Sequence, residues 1–360
     1  MKILYAIQGT GNGHMSRARE IIPLLKQRGD VDILVSGTQA EVVLDYPIKY
    51  KAQGLGFVFG KKGGIDLVAT YKNNKLKRLW QEIRQLPVED YDLVINDFEP
   101  VSAWACYLKG RSCVGISHQA AVLNEFAPKP KRPDLLGETV LRNYAPATLY
   151  YGFHFASYDK NIFTPVIRSE VRNLKPVKEG HYTVYLPAYS DERIIRILST
   201  FEDVQWQVFS KHSKKSYNQG NVSITPINNE AFLNSMARAD GILCGAGFET
   251  PAEALYLKKK LMVIPMKGQY EQQCNASALK RMGVPVIKSL KEKHSEKIST
   301  WLNTGRVISV NYPDETSWII DNMLANYPAN PKIEKINEPV SSAKKFRKLI
   351  VRKMLTRLAH

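Results

Sequence analysis

The sequence predicts an α/β protein made of two doubly wound parallel-sheet domains in tandem, and three observations carry that reading. The chain has 360 residues, more than the roughly 250–300 at which a single core stops growing. Short apolar runs alternate with segments of helical spacing along most of its length. Those apolar runs are continuous rather than alternating, as expected of strands covered by helices on both faces.

In chain order, KILYAI (2–7) reads as a strand and MSRAREIIPLLKQRG (15–29) as a helix stopped by Gly29. VDILVS (31–36), YDLVIND (91–97) and SCVGISH (112–118) read as further strands. Between them KLKRLWQEIRQL (75–86) and PVSAWACYLKG (100–110) read as helices. Pro100 suits the first helical position of the second, and Gly110 suits its stop. NLKPVKEGH (173–181) carries proline, glycine and charge and reads as an interdomain linker. A second strand–helix series follows: strands at 182–187, 204–210, 241–245 and 261–266, helices at 191–201, 230–239, 250–259 and 271–283. The expected division is therefore 1–172, linker 173–181, 182–328, and a basic amphipathic tail 329–360. Tandem domains of this type hold their ligand at the carboxyl ends of the strands, in the cleft between them.

A hydrophobic content of 44% is ordinary for a globular protein, but a formal charge of +17 is not. Such an excess favours an anionic partner: a nucleotide, a nucleic acid or an acidic membrane surface. No run of 18 apolar residues occurs, and MKILYAI leads straight into a glycine turn without a signal-peptide pattern. Cys106, Cys113, Cys244 and Cys274 are far apart, so neither a zinc site nor a disulfide framework is expected. The expected location is cytoplasmic.

The loop GTGNGH (9–14) is the first chemical signal. As a dinucleotide fingerprint it fails, because the third glycine comes one residue early and Asp32 begins its strand instead of ending it. A tight strand-to-helix turn accounts for Gly9, but not for His14 at the first turn with so little bulk around it. The positive end of a helix dipole disfavours a protonated ring, and a neutral imidazole accepts a proton. General base and structural N-cap both remain open for His14.

In the second half, CGAGFE (244–249) is a glycine turn opening a helix at a strand's carboxyl end, suited to cradle a phosphate with backbone N–H groups. Glu253 falls one turn into that helix, within reach of ribose hydroxyls, or serves as dipole compensation. Glu271, Gln272 and Asn275 open the next helix as a cluster suited to sugar hydroxyls, or as a solvated first turn.

On these motifs the chain resembles the GT-B glycosyltransferases, closest to the MurG-like branch (family 28 C-terminal type) and more distantly the UDP-glycosyltransferases. GTGNGHMSRA is similar to the N-terminal loop of that fold. PINNEAFLNSMARADGILCGAGFETPAEAL with VIPMKGQYEQQCNA is similar to its donor signature. The resemblance implies an acceptor or diphosphate loop at Gly9, Thr10, Gly11, Asn12 and Gly13. It implies Ile227 against the nucleobase, Ala246, Gly247 and neighbouring Phe248 at the diphosphate, and Glu253 on the ribose. Glu271 and Gln272, with Asn275, would hold the transferred sugar, and His14 would be the base. One departure is Gly245, where plant-type relatives carry a diphosphate-binding histidine, so a cation such as Lys211 or Arg193 must help the leaving group.

No metal and no cofactor are expected, since backbone amides and helix dipoles carry the leaving charge in this fold and the nucleotide sugar is a substrate. The pairs Asp30/Asp32 and Asp90/Asp92 precede strands, at the end away from the ligand. Asp97 ends its strand on the ligand side, where it either orients His14 or caps the helix opening at Pro100. Ser117 and His118 point oppositely if their strand continues, which excludes a hydrolase dyad but leaves His118 able to reach an acceptor.

The expected activity is inverting transfer of a sugar from a nucleotide diphosphate sugar, UDP-linked by family default, to an acceptor hydroxyl. The alternatives are a UDP-N-acetylglucosamine 2-epimerase-like enzyme and a basic nucleic-acid-binding protein. The latter is disfavoured because the basic residues are not interleaved with aromatics in any binding module. SSAKKFRKLIVRKMLTRLAH (341–360) places Ala343, Phe346, Ile350, Met354 and Leu358 on one helical face, with lysines and arginines and no acidic residue beside it. Either it packs on the N-terminal domain or it lies on an anionic membrane, with YKNNKLKRLW (71–80) and Trp80 as a second patch. The second reading implies peripheral association with the inner face of the cell membrane and a lipid-linked acceptor.

Overall fold

The computed structural model describes residues 1–37, 44–55 and 76–327. The described residues form two compact units: those of Met1–Ala127 with Arg132–Val166 and 313–327, and Ile167–Tyr312 with Pro128–Lys131. The stretch 173–181 lies within the second unit, where Val177 and Glu179 donate backbone hydrogen bonds to the carbonyls of Ala237 and Arg238. Lys259 reinforces that attachment, its Nζ donating to the carbonyls of Val177, Ala237 and Ala239 at 2.6, 2.6 and 2.8 Å.

The first unit is a seven-stranded sheet in the order β3-β2-β1-β4-β5-β6-β7. Its strands are β1 (Lys2–Gln8), β2 (Asp30–Ser36), β3 (Tyr50–Ala52), β4 (Leu93–Asp97), β5 (Val114–Ser117), β6 (Leu149–Phe153) and β7 (Ile162–Phe163). All its pairs are parallel. Around it lie α1 (Asn12–Lys26), α2 (Leu76–Gln85), α3 (Pro100–Lys109), α4 (His118–Leu123) and α5 (Leu135–Tyr144). The strand order reverses between β1 and β4, so the turn after β1 and the end of β4 flank a topological switch point, where such sheets bind ligands.

The second unit has α6 (Ser169–Arg172), β8 (His181–Tyr185), α7 (Asp191–Leu198), β9 (Gln205–Ser210), β10 (Tyr217–Gln219), β11 (Val222–Pro226) and α8 (Asn229–Arg238). It continues with β12 (Gly241–Gly245), α9 (Glu249–Tyr256), β13 (Lys260–Ile264), α10 (Tyr270–Arg281) and α11 (Ser295–Thr304). Its sheet order is β10-β11-β9-β8-β12-β13, parallel except for the β10–β11 hairpin. The switch point here falls between β8 and β12, beside the turn Gly245–Gly247. Trp206 and Trp301 fill the core with Val208, Leu243 and Met262. The last described helix, α12 (Thr316–Ala325), belongs to the first unit: Asp321 accepts from Arg28 in the turn after α1, and Trp318 meets Phe163 edge-on.

The structure departs from the expected elements at two informative places. The strand over 112–118 ends at Ser117, whose Oγ accepts from Ala120 N and starts α4, so the strand geometry assumed for Ser117 and His118 does not apply. Trp80 is not part of a surface patch. It is 7% exposed and packs into the first unit's core with Leu79 and Ile83, its neighbours on one face of α2. Residues 71–75 and the tail 341–360 lie outside the described residues.

Candidate active site

The turn after β1 is tied down from below. Gly9 donates to the Ser36 carbonyl at 2.6 Å. A Cβ on Gly9 would stand 2.8 Å from Val35 Cγ1 and 3.0 Å from the Ser36 oxygen, so the close pass of the two strands demands glycine here. Gln8 spans the base of the loop, donating to Thr10 Oγ1 and to Tyr144 Oη and accepting from Ser36 Oγ. Gly11 is different: a Cβ there would meet nothing within 4 Å. Gly11 stands at the N-cap of α1 and supplies no side-chain cap, and Asn12 and Gly13 form the first helical residues.

His14 is thus the third residue of α1, and its Nδ1 lies 2.8 Å from Asp97 Oδ1 at the end of β4. The cap of α3 is the neighbouring Glu99, which accepts from Val101 N and Ser102 N. Asp97 is fully buried, whereas the His14 side chain keeps 13% exposure. An ionised carboxylate only accepts, so the pair carries its proton on Nδ1 and leaves Nε2 as the basic nitrogen. Gln119 of α4 approaches that nitrogen, Nε2 to Nε2 at 3.4 Å. The Phe98 ring is stacked parallel to His14, at 8° and 6.3 Å. Phe98 is held at φ 56, a conformation costing a non-glycine residue about 1–3 kcal/mol.

Arg17, one turn after His14, went unnoticed in the sequence. It is 2% exposed, and its Nη2 donates to Asp97 Oδ1 and Oδ2 at 2.7 and 2.9 Å. Burial by itself would raise the Asp97 carboxyl; Arg17 and then His14 outweigh it and hold the carboxyl below its ordinary value. The His-x-x-Arg spacing was a legible signal, because residues three apart share a helix face. His118 is turned inward instead: it is 2% exposed, with Nδ1 2.8 Å from the Phe153 carbonyl.

In the second unit, Ile227 follows β11, its N–H bonded to the Ser210 carbonyl, and it is half-buried. Ala246 is buried, its N–H directed to the Ile264 carbonyl at 3.3 Å and its carbonyl accepting from Asn275 Nδ2 at 3.1 Å. Asn275, itself 0% exposed, therefore fastens α10 to the glycine turn from inside. Gly247 is half-buried, and a Cβ on it would meet nothing within 4 Å. Phe248 occupies the N-cap of α9 without a side-chain cap. Gln272 Oε1 accepts from Met266 N at 2.9 Å, and both Gln272 and Glu271 are partly exposed at the start of α10.

Glu253 is 3% exposed and its carboxylate is gripped by Arg168, Nε to Oε1 at 2.5 Å and Nη2 to Oε2 at 2.9 Å. Arg168 also donates to Asn229 Oδ1 at 3.0 Å. This partner lies just before the stretch that reads as a linker, which is why sequence alone did not suggest it. Arg193 gives both Nε and Nη2 to the Leu290 carbonyl.

The two turns share one further feature. Helices α3, α4, α5 and α8 start with a side-chain cap, from Glu99, Ser117, Asp134 and Asn228. Helices α1, α7, α9 and α10, which follow β1, β8, β12 and β13, start without one, as do α6, α11 and α12. Uncapped N-termini at the carboxyl edge of a parallel sheet suit an anionic ligand.

The model of glycosyl transferase family 1 matches residues 1–304 of this sequence. The chain belongs to that family. It is a glycosyltransferase, and its two Rossmann-like units make the fold GT-B. No curated protein sequence matches it. Among solved structures, this transferase is similar to Acinetobacter baumannii MurG, with 14% identity, a TM-score of 0.53, and coverage of 98% of this chain and 99% of that one. It is also similar to Arabidopsis thaliana UGT89C1 complexed with UDP, with 12% identity, a TM-score of 0.54 and the same coverage. The spinosyn forosaminyltransferase SpnP aligns over 98% of this chain and 99% of its own, with 13% identity and a TM-score of 0.51. Likenesses at these identities bear on the fold of the transferase.

Proposed function

We propose that the protein is an inverting glycosyltransferase that moves a sugar from UDP-sugar to an acceptor hydroxyl, with His14 as general base. The observation that carries the reading is the 2.8 Å contact of His14 with buried Asp97 beside the open position Gly11 of the glycine turn. In the step, the acceptor O–H gives its proton to His14 Nε2 and its oxygen bonds to the anomeric carbon. The bond from that carbon to the diphosphate breaks, and the diphosphate departs with the electron pair. Asp97 stabilises the imidazolium formed. The backbone at Gly247 and the uncapped start of α9 meet the charge on the leaving group.

On the donor side, Ile227 would face the base and Gln272 and Glu271 the sugar. The internal bonds of Ala246 and Asn275 assign them to holding the turn. Glu253 reaches the ribose only as a carboxylate shared with Arg168. Uridine is supported by the UDP and UDP-L-rhamnose complexes of UGT89C1. Transfer assays with a panel of nucleotide sugars, run with and without acceptor, test the proposal. Glycoside formed only in the presence of acceptor upholds it, and an epimerised sugar nucleotide formed without acceptor would replace it with the epimerase reading.

The acceptor we propose is lipid-linked and the protein peripheral on an anionic membrane, through residues 341–360. What supports this is the one-signed charge of that segment, seven lysines and arginines (Lys344, Lys345, Arg347, Lys348, Arg352, Lys353 and Arg357) without an acidic residue. Among the described residues no helix is long and apolar enough to cross a membrane. Flotation of the full chain with liposomes of increasing anionic lipid content checks it. Binding indifferent to that content, or undiminished in a chain ending at Asn330, would return the tail to a structural role. Retention on DNA that resists competition by anionic lipid would point to nucleic acid instead.

A further inference from the structure

We propose that Arg17 sets the charge balance of the His14–Asp97 pair and thereby the lower pH limit of transfer. The inference rests on His14 being the base. A carboxylate alone beside a histidine favours the imidazolium, and the effect grows with burial. Such a base would be protonated before the acceptor arrives. Here the carboxylate charge is already met by a second buried cation. Arg17 Nη2 reaches both oxygens of Asp97, its Nε lies 3.2 Å from Oδ2, and the same Nη2 stands 3.1 Å from His14 Nδ1. With His14 neutral the trio carries no net charge; protonating the ring leaves +1 in a site where Asp97 is wholly buried. Arg17 therefore opposes protonation of the resting base while Asp97 still fixes its tautomer.

Three neighbours of the trio among the described residues are uncharged. From β1, Tyr5 is fully buried, and burial first, then Asp97, hold its hydroxyl protonated and uncharged. From α4 comes the neutral amide of Gln119, and from β6 the Phe153 ring, 5.7 Å beneath the Arg17 guanidinium. The charges that act most strongly on Asp97 are Arg17 and His14. A residue needed only to fill space on this face of α1 would be apolar, like Ile21 one turn further on. Arg17 is thus a positioning residue, acting on the base through Asp97.

The test is kcat/KM against pH for the full chain and for Arg17→Gln and Arg17→Lys, with folding monitored by thermal melts. In Arg17→Gln the acid limb should move upward by about one pH unit or more, with a much smaller change on the alkaline plateau and an unaltered KM for the donor. Arg17→Lys, which keeps the charge, should hold the limb near its wild-type position. A uniform fall at all pH values with the limb unmoved in Arg17→Gln would overturn the inference and leave a structural role. Should Arg17→Gln not fold, the uncharged Arg17→Met decides by the same limb, moved upward if the inference holds and unmoved if it fails, and a limb displaced by a full unit in Arg17→Lys despite the retained charge also overturns it. His14→Ala is the control for the parent reading, because transfer surviving in that variant refutes His14 as base whatever Arg17 does.

Discussion

The turn after β1 and the turn after β12 occupy equivalent places, each beside the switch point of its own sheet and each opening an uncapped helix. The first is surrounded by titratable side chains: Asp97 accepts from both His14 and Arg17, and the three lie within 3.2 Å of one another. The second presents backbone, and its charged neighbours Glu253 and Arg168 are occupied with each other. The contrast follows from the tasks of a transferase. Moving a proton requires a group whose charge state is adjustable, whereas holding a diphosphate requires fixed dipoles that need not change during the reaction. One core architecture thus serves as a proton acceptor in one unit and an anion cradle in the other.

The largest expected effect breaks the comparison on its chemical side. His14→Ala should lower the transfer rate by roughly 10²- to 10⁴-fold while UDP binding, measured by calorimetry, stays at the wild-type value. A variant with near wild-type turnover would reduce the first turn to a folding element.

Next come the two buried ion pairs, which the comparison treats differently. Asp97→Asn strands Arg17 and Glu253→Gln strands Arg168, and breaking a buried pair costs about 3–5 kcal/mol of stability. Only the first should abolish proton transfer; the second should weaken donor affinity with a smaller change in kcat. The pH dependence separates them further. Asp97 is held below its ordinary value when folded. Its contribution to stability is therefore present above the unfolded carboxyl range, near about pH 4, and is lost as pH falls through the folded value. The stability gap between wild type and Asp97→Asn should accordingly narrow in urea titrations as pH drops below about 4. A gap independent of pH would mean that Asp97 is not carrying charge in the folded protein.

Much of this was legible in the sequence because it depended on local pattern. Continuous apolar strands, the Pro100 and Gly110 boundaries and both glycine turns emerge from spacing and backbone chemistry. Asp97 was readable as a strand-end residue, but whether it met His14 or capped α3 was not, since Glu99 two residues on could take the cap equally well. Arg17 and Arg168 were missed because their partners lie 80 and 85 positions away. Asn275 read as a sugar ligand because an amide near a helix start offers the same donors to a hydroxyl or to the Ala246 carbonyl, and only burial distinguishes the two. Strand β10 was missed for lack of an apolar signal, since Tyr217, Asn218 and Gln219 are all exposed, whereas β11 carries only the brief alternation of Val222 and Ile224. Trp80 looked like a membrane anchor only while its helix face was unknown.

The smallest expected effect is a difference between two alanines. Gly9 and Gly247 look alike in sequence, but an added Cβ at Gly9 would stand 2.8 Å from Val35 Cγ1 and at Gly247 nothing lies within 4 Å. Gly9→Ala must push strand β2 away and should destabilise the protein by about 1–3 kcal/mol, like other overpacked sites. Gly247→Ala meets no such resistance, and by restricting the unfolded chain it should leave stability equal or raise it by about 0.4–1 kcal/mol. Its cost should appear only when the donor binds, because a methyl group then stands where the diphosphate must approach the backbone. Thermal melts without ligand and calorimetry with UDP read the two effects separately. If Gly247→Ala bound UDP as tightly as wild type, the glycine there would have no role in the cradle, and the donor side of the comparison would have to rest on Gln272 and Glu253 instead.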